Sequence, residues 1–188
     1  MSFHKLESAV LKYGVFSREQ LAAINASFSI EEVKKGQLLL KEGMVCRGIY
    51  FVNNGSFRHF EVTDEGEEHT MAFFTEGDWM LEPQSFTSQK PAVGTIEAAE
   101  PGEVMFLSVH ALHTLLKTHD SFFQLARILE LITVPAPYRS SRLSPEEKYE
   151  QLLLHRPLVI QKFSSRHIAS YLGMAPETLS RVRRKLIS

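Results

Sequence analysis

The sequence predicts an α+β chain: an N-terminal antiparallel β-roll of the jelly-roll kind, then helices that end in a helix-turn-helix unit. Three observations carry this. Short apolar runs punctuated by Gly36, Gly43, Gly55, Gly66 and Gly77 fill the first half of the chain, the texture of small antiparallel sandwiches and rolls. From Val109 onward, apolar residues recur at three- and four-residue intervals, the period of helices. The last stretch, from Phe163 to Leu186, reads as two short helices joined by a tight turn, the helix-turn-helix pattern.

Taken in order, Phe3, Leu6, Val10, Leu11 and then Phe16, Leu21, Ile24, Phe28 follow helical spacing, with Ser17 placed to cap the second run. Strands follow at 38–40, 48–52, 57–62 and 69–74, and Asn53-Asn54-Gly55 and Asp64-Glu65-Gly66 carry hairpin-turn chemistry. About eight strands of this length fit a jelly roll. A short helix is expected over 109–116, and a second begins at Thr118 or Asp120. In that second helix Phe122, Leu125, Leu129 and Ile132 recur at 3-4-3 spacing, which favours a coiled-coil-like dimer seam, although ordinary packing onto the β-domain would produce much the same stripe. Phe123, Ile128 and Leu131 would then face the β-domain. Pro135 and Pro137 stop this helix, and Ser144-Pro145-Glu146-Glu147 combines a cap, a first-turn proline and two acidic residues, so a new helix runs from Pro145 to His155. The expected organisation is therefore a β-roll with N-terminal helices over 1–117, a dimerisation helix over 118–134, a linker over 135–143 and a helix-turn-helix domain over 144–188.

Composition narrows the function classes. The 188 residues contain 44% hydrophobic and 23% charged residues, as in soluble globular proteins. The net charge of −1 is unevenly spread. From Arg139 onward ten Lys/Arg stand against four Glu, a local +6 that leaves −7 on the first 138 residues. An acidic body with a basic tail points to nucleic acid at one end. Cys46 is the only cysteine, which rules out an internal disulfide and a cysteine-ligated iron–sulfur cluster. Its neighbour Arg47 would favour a reactive thiolate, whereas a structural cysteine is the simpler reading. No signal peptide and no long apolar span is apparent, so a cytoplasmic location is expected. His59, His69, His110 and His113 lack accompanying Cys, Asp or Glu at ligand spacing, and no metal or cofactor is expected. Neither a catalytic triad nor a phosphate-cradling glycine loop is recognisable, which argues against an enzyme.

In the C-terminal unit Ser164 caps the first helix, whose Ile168, Ala169 and Leu172 share a face, and Gly173 supplies the turn. Pro176 opens the second helix, where Leu179, Val182 and Leu186 form the inward stripe and Glu177, Arg181, Arg184 and Lys185 project opposite. Glu177, Thr178 and Arg181 lie in the opening turns, the part of a reading helix that meets base edges. Arginine can donate twice to guanine and glutamate can accept from cytosine N4. Ser164, Arg166, Arg184 and Lys185 are the expected phosphate contacts.

This order of elements resembles the Crp–Fnr family, the cyclic AMP receptor and fumarate–nitrate regulator group of bacterial transcription factors. The resemblance rests on Gly55, on Gly77-Asp78-Trp79-Met80, on Glu146-Glu147-Lys148-Tyr149, on His155-Arg156-Pro157 and on Ile168 through Arg184, including Glu177-Thr178-Leu179-Ser180-Arg181. It implies a homodimer with a cyclic-nucleotide-binding-like effector roll and a C-terminal DNA-reading domain. The implied partners are double-stranded DNA with an inverted-repeat operator, a second copy of the chain and RNA polymerase. An effector pocket at Trp79, Leu81, Glu82 and Lys90 is implied in the same way. Two departures stand out. Glu82 matches the glutamate that holds a cyclic nucleotide's ribose, but Leu81 replaces a glycine and no arginine stands near Pro91-Ala92-Val93 to hold the phosphate, with Lys90 the only nearby cation. A response to cyclic AMP is therefore not expected, and any effector remains unidentified. The sequence also ends at Ser188, so the β-hairpin wing that usually follows the reading helix is expected to be absent or replaced. The competing reading is a ligand-binding or protein-interaction module whose helical tail no longer reads sequence.

Overall fold

The computed structural model describes residues 3–129 and 142–187. Two N-terminal helices, α1 (His4–Val10) and α2 (Arg18–Ala26), precede the sheets. Ser17 and Gln20 close a capping box on α2, each side chain accepting from the other's backbone N–H at 3.2 and 2.8 Å. Eight strands follow: β1 (Ser29–Val33), β2 (Leu38–Leu40), β3 (Gly48–Asn54), β4 (Ser56–Val62), β5 (Glu68–Thr75), β6 (Trp79–Met80), β7 (Thr95–Ala98) and β8 (Gly102–Ser108), with the short helix α3 (Pro83–Ser88) between β6 and β7. They form two four-stranded antiparallel sheets, ordered β1-β8-β3-β6 and β2-β7-β4-β5.

The Asp64-Glu65-Gly66 turn joins β4 and β5, which pair directly with Val62 opposite Glu68. Asn53-Asn54-Gly55 is a correction to the hairpin expectation. Strand β3 pairs with β6 and β8, β4 with β5 and β7, so this turn carries the chain from one sheet to the other. Gly55 has φ +99°, and a Cβ there would lie 3.0 Å from Gly102 Cα. Two backbones cross at this corner, which leaves room only for hydrogen.

Strand alternation sorts the core. On the first sheet Ile49, Trp79 and Leu107 turn outward against α1, α2 and the helix α4 (Val109–Thr118). Tyr50 turns the other way, toward the second sheet, and its hydroxyl donates to Leu39 O at 3.5 Å. On the second sheet Phe57 and Phe74 join this large core while the neighbouring Phe73 belongs to a separate cluster with the C-terminal helices. The chain is thus layered: helices, sheet, sheet, helices.

After α4 the chain winds as a 3₁₀ helix over Asp120–Ala126, not the α-helix expected from the 3-4-3 spacing. Residues three apart eclipse in a 3₁₀ helix, so Phe122 and Leu125 align and are 2% and 6% exposed, and Ile128, just past its end, is 3% exposed. This corrects the dimer seam. Phe122 and Leu125 are buried in the protomer's own core, Phe122 stacking on Phe16 at 6.2 Å, and Leu129 is half-buried against the same core. Phe123, expected to face the β-domain, is exposed instead. Ile132, Leu131, Pro135 and Pro137 lie outside the described residues.

Four C-terminal helices complete the fold: α5 (Pro145–His155), α6 (Pro157–Lys162), α7 (Ser165–Leu172) and α8 (Pro176–Ile187). The α5 cap is the box read from sequence, with Ser144 and Glu147 satisfying each other's backbone N–H. Leu152, Ile168, Ala169, Leu172 and Leu179 are fully or almost fully buried and pin α5, α7 and α8 together.

Candidate nucleic-acid interface and effector pocket

Helices α7 and α8 are joined at Gly173, whose φ of +66° makes the left-handed turn. Leu179 and Val182 bury the inner face of α8, while Glu177, Arg181, Arg184 and Lys185 are exposed. Thr178 is half-buried, and its hydroxyl accepts from the Arg181 guanidinium at 3.3 Å. The predicted base-reading residues therefore lie together on one open face at the start of α8. Arg166 is exposed at the start of α7. The Ser164 hydroxyl accepts from His167 N at 3.2 Å as the α7 cap, and its outward-facing position still suits a backbone contact. Lys185 lies 3.4 Å from Glu146 on α5, an exposed pair of the kind that contributes little and yields readily to a phosphate.

Arg183 was not singled out by sequence reasoning. Its guanidinium donates to Ser165 Oγ at 2.6 Å and lies 5.4 Å from the Tyr149 ring centroid, tying α8 to the start of α7 and to α5. It is half-buried, so of the Arg-Arg-Lys run this residue serves packing. Its place two residues from both Arg181 and Lys185, and so on the opposite side of the helix from them, was the available signal.

The helix-turn-helix unit is seated on the outer face of the second sheet. Phe73 of β5 packs on Phe163 at 4.1 Å and on Tyr171 at 4.9 Å between ring centroids. Ser170 Oγ accepts from Thr70 N at 2.9 Å and donates to Glu68 O at 3.3 Å. Arg156 donates to Phe73 O at 3.2 Å and pairs with Asp78 at 2.5 Å, and Lys162 pairs with Glu100. Asp78 is itself fixed by Thr75, whose N and Oγ1 donate to it at 2.7 and 3.1 Å.

Arg58 of β4 is 5% exposed on this same face, paired with Glu68 at 2.6 Å and Glu97 at 3.6 Å and lying 4.2 Å above the Phe60 ring. His167 of α7 faces this cluster. Burial and then the Arg58 charge push its pKa below the usual 6.5, against the smaller opposing pull of Glu68 and Glu97, with Arg166 adding to the depression. A depressed native pKa means that the unfolded chain binds the proton first. The stabilising contribution is present above pH about 6.5 and is lost as pH falls from there through the depressed native value. Melting temperature should therefore fall between pH 7 and pH 5, and His167→Gln should flatten that slope. An unchanged slope in the variant would show that other groups set it.

The residues expected to form an effector pocket are not brought together as one. Trp79 lies on the helix-facing side of its sheet, packed on Phe28 and Phe51 at 6.3 and 5.0 Å between ring centroids. Leu81 is buried, and Lys90 is exposed. Glu82, 5% exposed, turns its carboxylate onto the start of α3, where Oε1 accepts from Gln84 N at 3.2 Å and Oε2 from Ser85 N at 2.5 Å. It is the N-cap of α3. Ser85 Oγ in turn accepts from Cys46 N at 2.9 Å and donates to Lys90 O at 2.5 Å, so the loop is closed on itself. Burial raises the Cys46 thiol's pKa, the reverse of what a reactive thiolate needs.

With this geometry in hand, comparison with known proteins is direct. Residues 30–119 match the family model of the cyclic nucleotide-binding domain. The chain is 27% identical over 165 residues to the transcriptional activator protein FnrA of Stutzerimonas stutzeri, covering 80% of this chain and 67% of that protein. It is 26% identical over 170 residues to the regulatory protein HlyX of Actinobacillus pleuropneumoniae, covering 80% and 68%. The fold matches the crystal structure of Thermus thermophilus catabolite activator protein with a TM-score of 0.57 at 19% identity, over 95% of this chain and 86% of that one. These relatives are regulators, and among the described residues no helix is long and apolar enough to cross a membrane. Roll, helix-turn-helix unit and relatives together support a Crp–Fnr-type transcription regulator.

Proposed function

We propose that the protein is a sequence-specific DNA-binding regulator that works as a homodimer and does not respond to cyclic AMP. The observation that carries the first part is the open face of α8: Glu177 and Arg181 are exposed while Leu179 and Val182 anchor the helix from behind. Glu177, Thr178 and Arg181 read base edges in the major groove, and Ser164, Arg166, Arg184 and Lys185 hold the backbone. Two copies related by a two-fold axis meet half-sites one helical turn apart, so DNA selected from a random pool should converge on an inverted repeat with centres about 10 base pairs, or a multiple, apart. Selection of no common sequence would favour a module that has lost DNA reading.

The second part rests on Glu82. A cyclic phosphate bound at the start of α3 would need the amides of Gln84 and Ser85, and both already donate to the Glu82 carboxylate. The phosphate would add a second negative charge beside Glu82, with Lys90 turned to solvent and no arginine in the 89–94 stretch. A buried charge without a partner is costly, and a bidentate arginine is what ordinarily supplies that partner. Titration calorimetry with cyclic AMP and cyclic GMP should give no saturable heat up to millimolar concentration. Micromolar binding of either nucleotide would contradict the proposal.

A further inference from the structure

Leu179 and Val182 hold α8 from behind, but apolar contacts are non-directional and leave a helix free to tilt and roll slightly. Base reading tolerates little of this. A hydrogen bond is good over a range of about 0.5 Å in donor–acceptor distance. The base-reading turn of α8 and the phosphate-holding turn of α7 must therefore keep a fixed spacing if both are to meet one duplex.

One side chain spans these two parts. Arg183 of α8 donates from Nη1 to Ser165 Oγ at 2.6 Å and lies 5.4 Å from the ring centroid of Tyr149 on α5. Ser165 opens α7 and Gly173 caps its other end, so the bond grips α7 about 12 Å of helix away from the turn. At that lever arm a slack of about 1 Å is a tilt of about 5°, enough to carry a base contact out of hydrogen-bond range. The Lys185–Glu146 tie, at 3.4 Å, is longer and more exposed, and it is released when Lys185 turns to a phosphate. Arg183, half-buried, stays in place.

Packing alone does not call for an arginine here. Its Nε is buried and, among the described residues, has no hydrogen-bond partner, which costs stability where an apolar side chain would leave nothing unpaired. The planar fork of a guanidinium can bond Ser165 and lie against Tyr149 at once, which a lysine ammonium cannot. Arg183 also lies two residues from Arg181, and so on the far side of α8 from the base-reading face.

We propose that Arg183 is a positioning residue for DNA reading. Held between Ser165 and Tyr149, it fixes α8 against the start of α7. It thereby sets the spacing between the bases met by Glu177 and Arg181 and the phosphates held by Ser164 and Arg166. This role rests on α8 being the base-reading helix proposed above.

The test is fluorescence anisotropy of the full chain as wild type, Arg183→Met, Ser165→Ala and the double variant. Each is titrated with the selected inverted repeat and with random DNA over a range of salt, well below its melting temperature. Arg183→Met keeps an unbranched apolar stem and loses the bond, and Ser165→Ala breaks the same bond from an exposed position. Each single variant should lose about tenfold or more of the preference for the repeat. The salt dependence on random DNA should not change, because no phosphate contact is removed. The double variant should lose little more than either single one, since both changes delete one bond. Full preference in both single variants, even with lowered melting temperatures, would leave Arg183 a packing residue and overturn the proposal. An equal loss on both DNAs with a shallower salt dependence would mark a direct backbone contact and overturn it as well. Losses that add in the double variant would do the same. A wild type without preference would overturn the base-reading proposal and this one together, whereas a wild-type preference that every variant keeps overturns this one alone.

Discussion

Phe73→Ala should destabilise the protein by about 3–5 kcal/mol, the cost of removing a buried phenylalanine, and should divide one thermal transition into two. Phe73 is 3% exposed and, among the described residues, is the one buried β-roll side chain in the C-terminal core, with the half-buried Ala99 against it, and it meets Phe163 and Tyr171. Other ties to the sheet are the Ser170 bridge, the Arg156 hydrogen bond to Phe73 O, and the partly exposed pairs Arg156–Asp78 and Lys162–Glu100. Solvent screening limits what such pairs contribute. Without the ring, the C-terminal helices retain Leu152, Ile168, Leu172 and Leu179 as their own core and should melt separately from the roll. Calorimetry reads both effects. A single transition lowered by less than about 1 kcal/mol would mean that the polar contacts hold the two parts together.

The ease with which each element could be read from sequence follows from how local its cause is. Ser144, Pro145 and Glu147 specify the α5 start within four residues, and Gly173 and Pro176 specify the turn before α8, so both were legible. The Asn53-Asn54-Gly55 turn has hairpin chemistry, but its role is decided by Gly102, distant in sequence and packed against it. Phe122, Leu125, Leu129 and Ile132 fit a seam only if the backbone is α-helical. The 3₁₀ winding, tied to α2 and the preceding loop through Gln20 and Gln124, instead turns Phe122 and Leu125 together into the protomer's own core. The outer face of α8, with Glu177 and Arg181, was legible because an amphipathic helix fixes its outer face by itself. Glu82 was legible as a glutamate in the right place, yet the direction of its side chain depends on the α3 amides that it caps. Phe73 and Phe74 are adjacent in one strand, and only the docking of the C-terminal helices decides which of them faces the roll's interior.

Arg181→Ala should cost about 1–3 kcal/mol on the preferred DNA, the value of one bidentate base contact, and should relax the choice of base at one position in each half-site. Arg181 is exposed and held one turn from Thr178, so its removal disturbs no core contact. Arg184→Ala, at a proposed phosphate contact, should instead weaken all sequences alike and reduce the salt dependence. The most direct measurement is fluorescence anisotropy of the wild-type protein and Arg181→Ala on the selected inverted repeat and on random DNA, at one fixed salt concentration. The wild type should prefer the repeat by about 10³-fold or more, and the variant should lose affinity for the repeat while its binding to random DNA changes far less. Equal wild-type binding to both, or an equal loss on both in the variant, would contradict sequence reading by this helix.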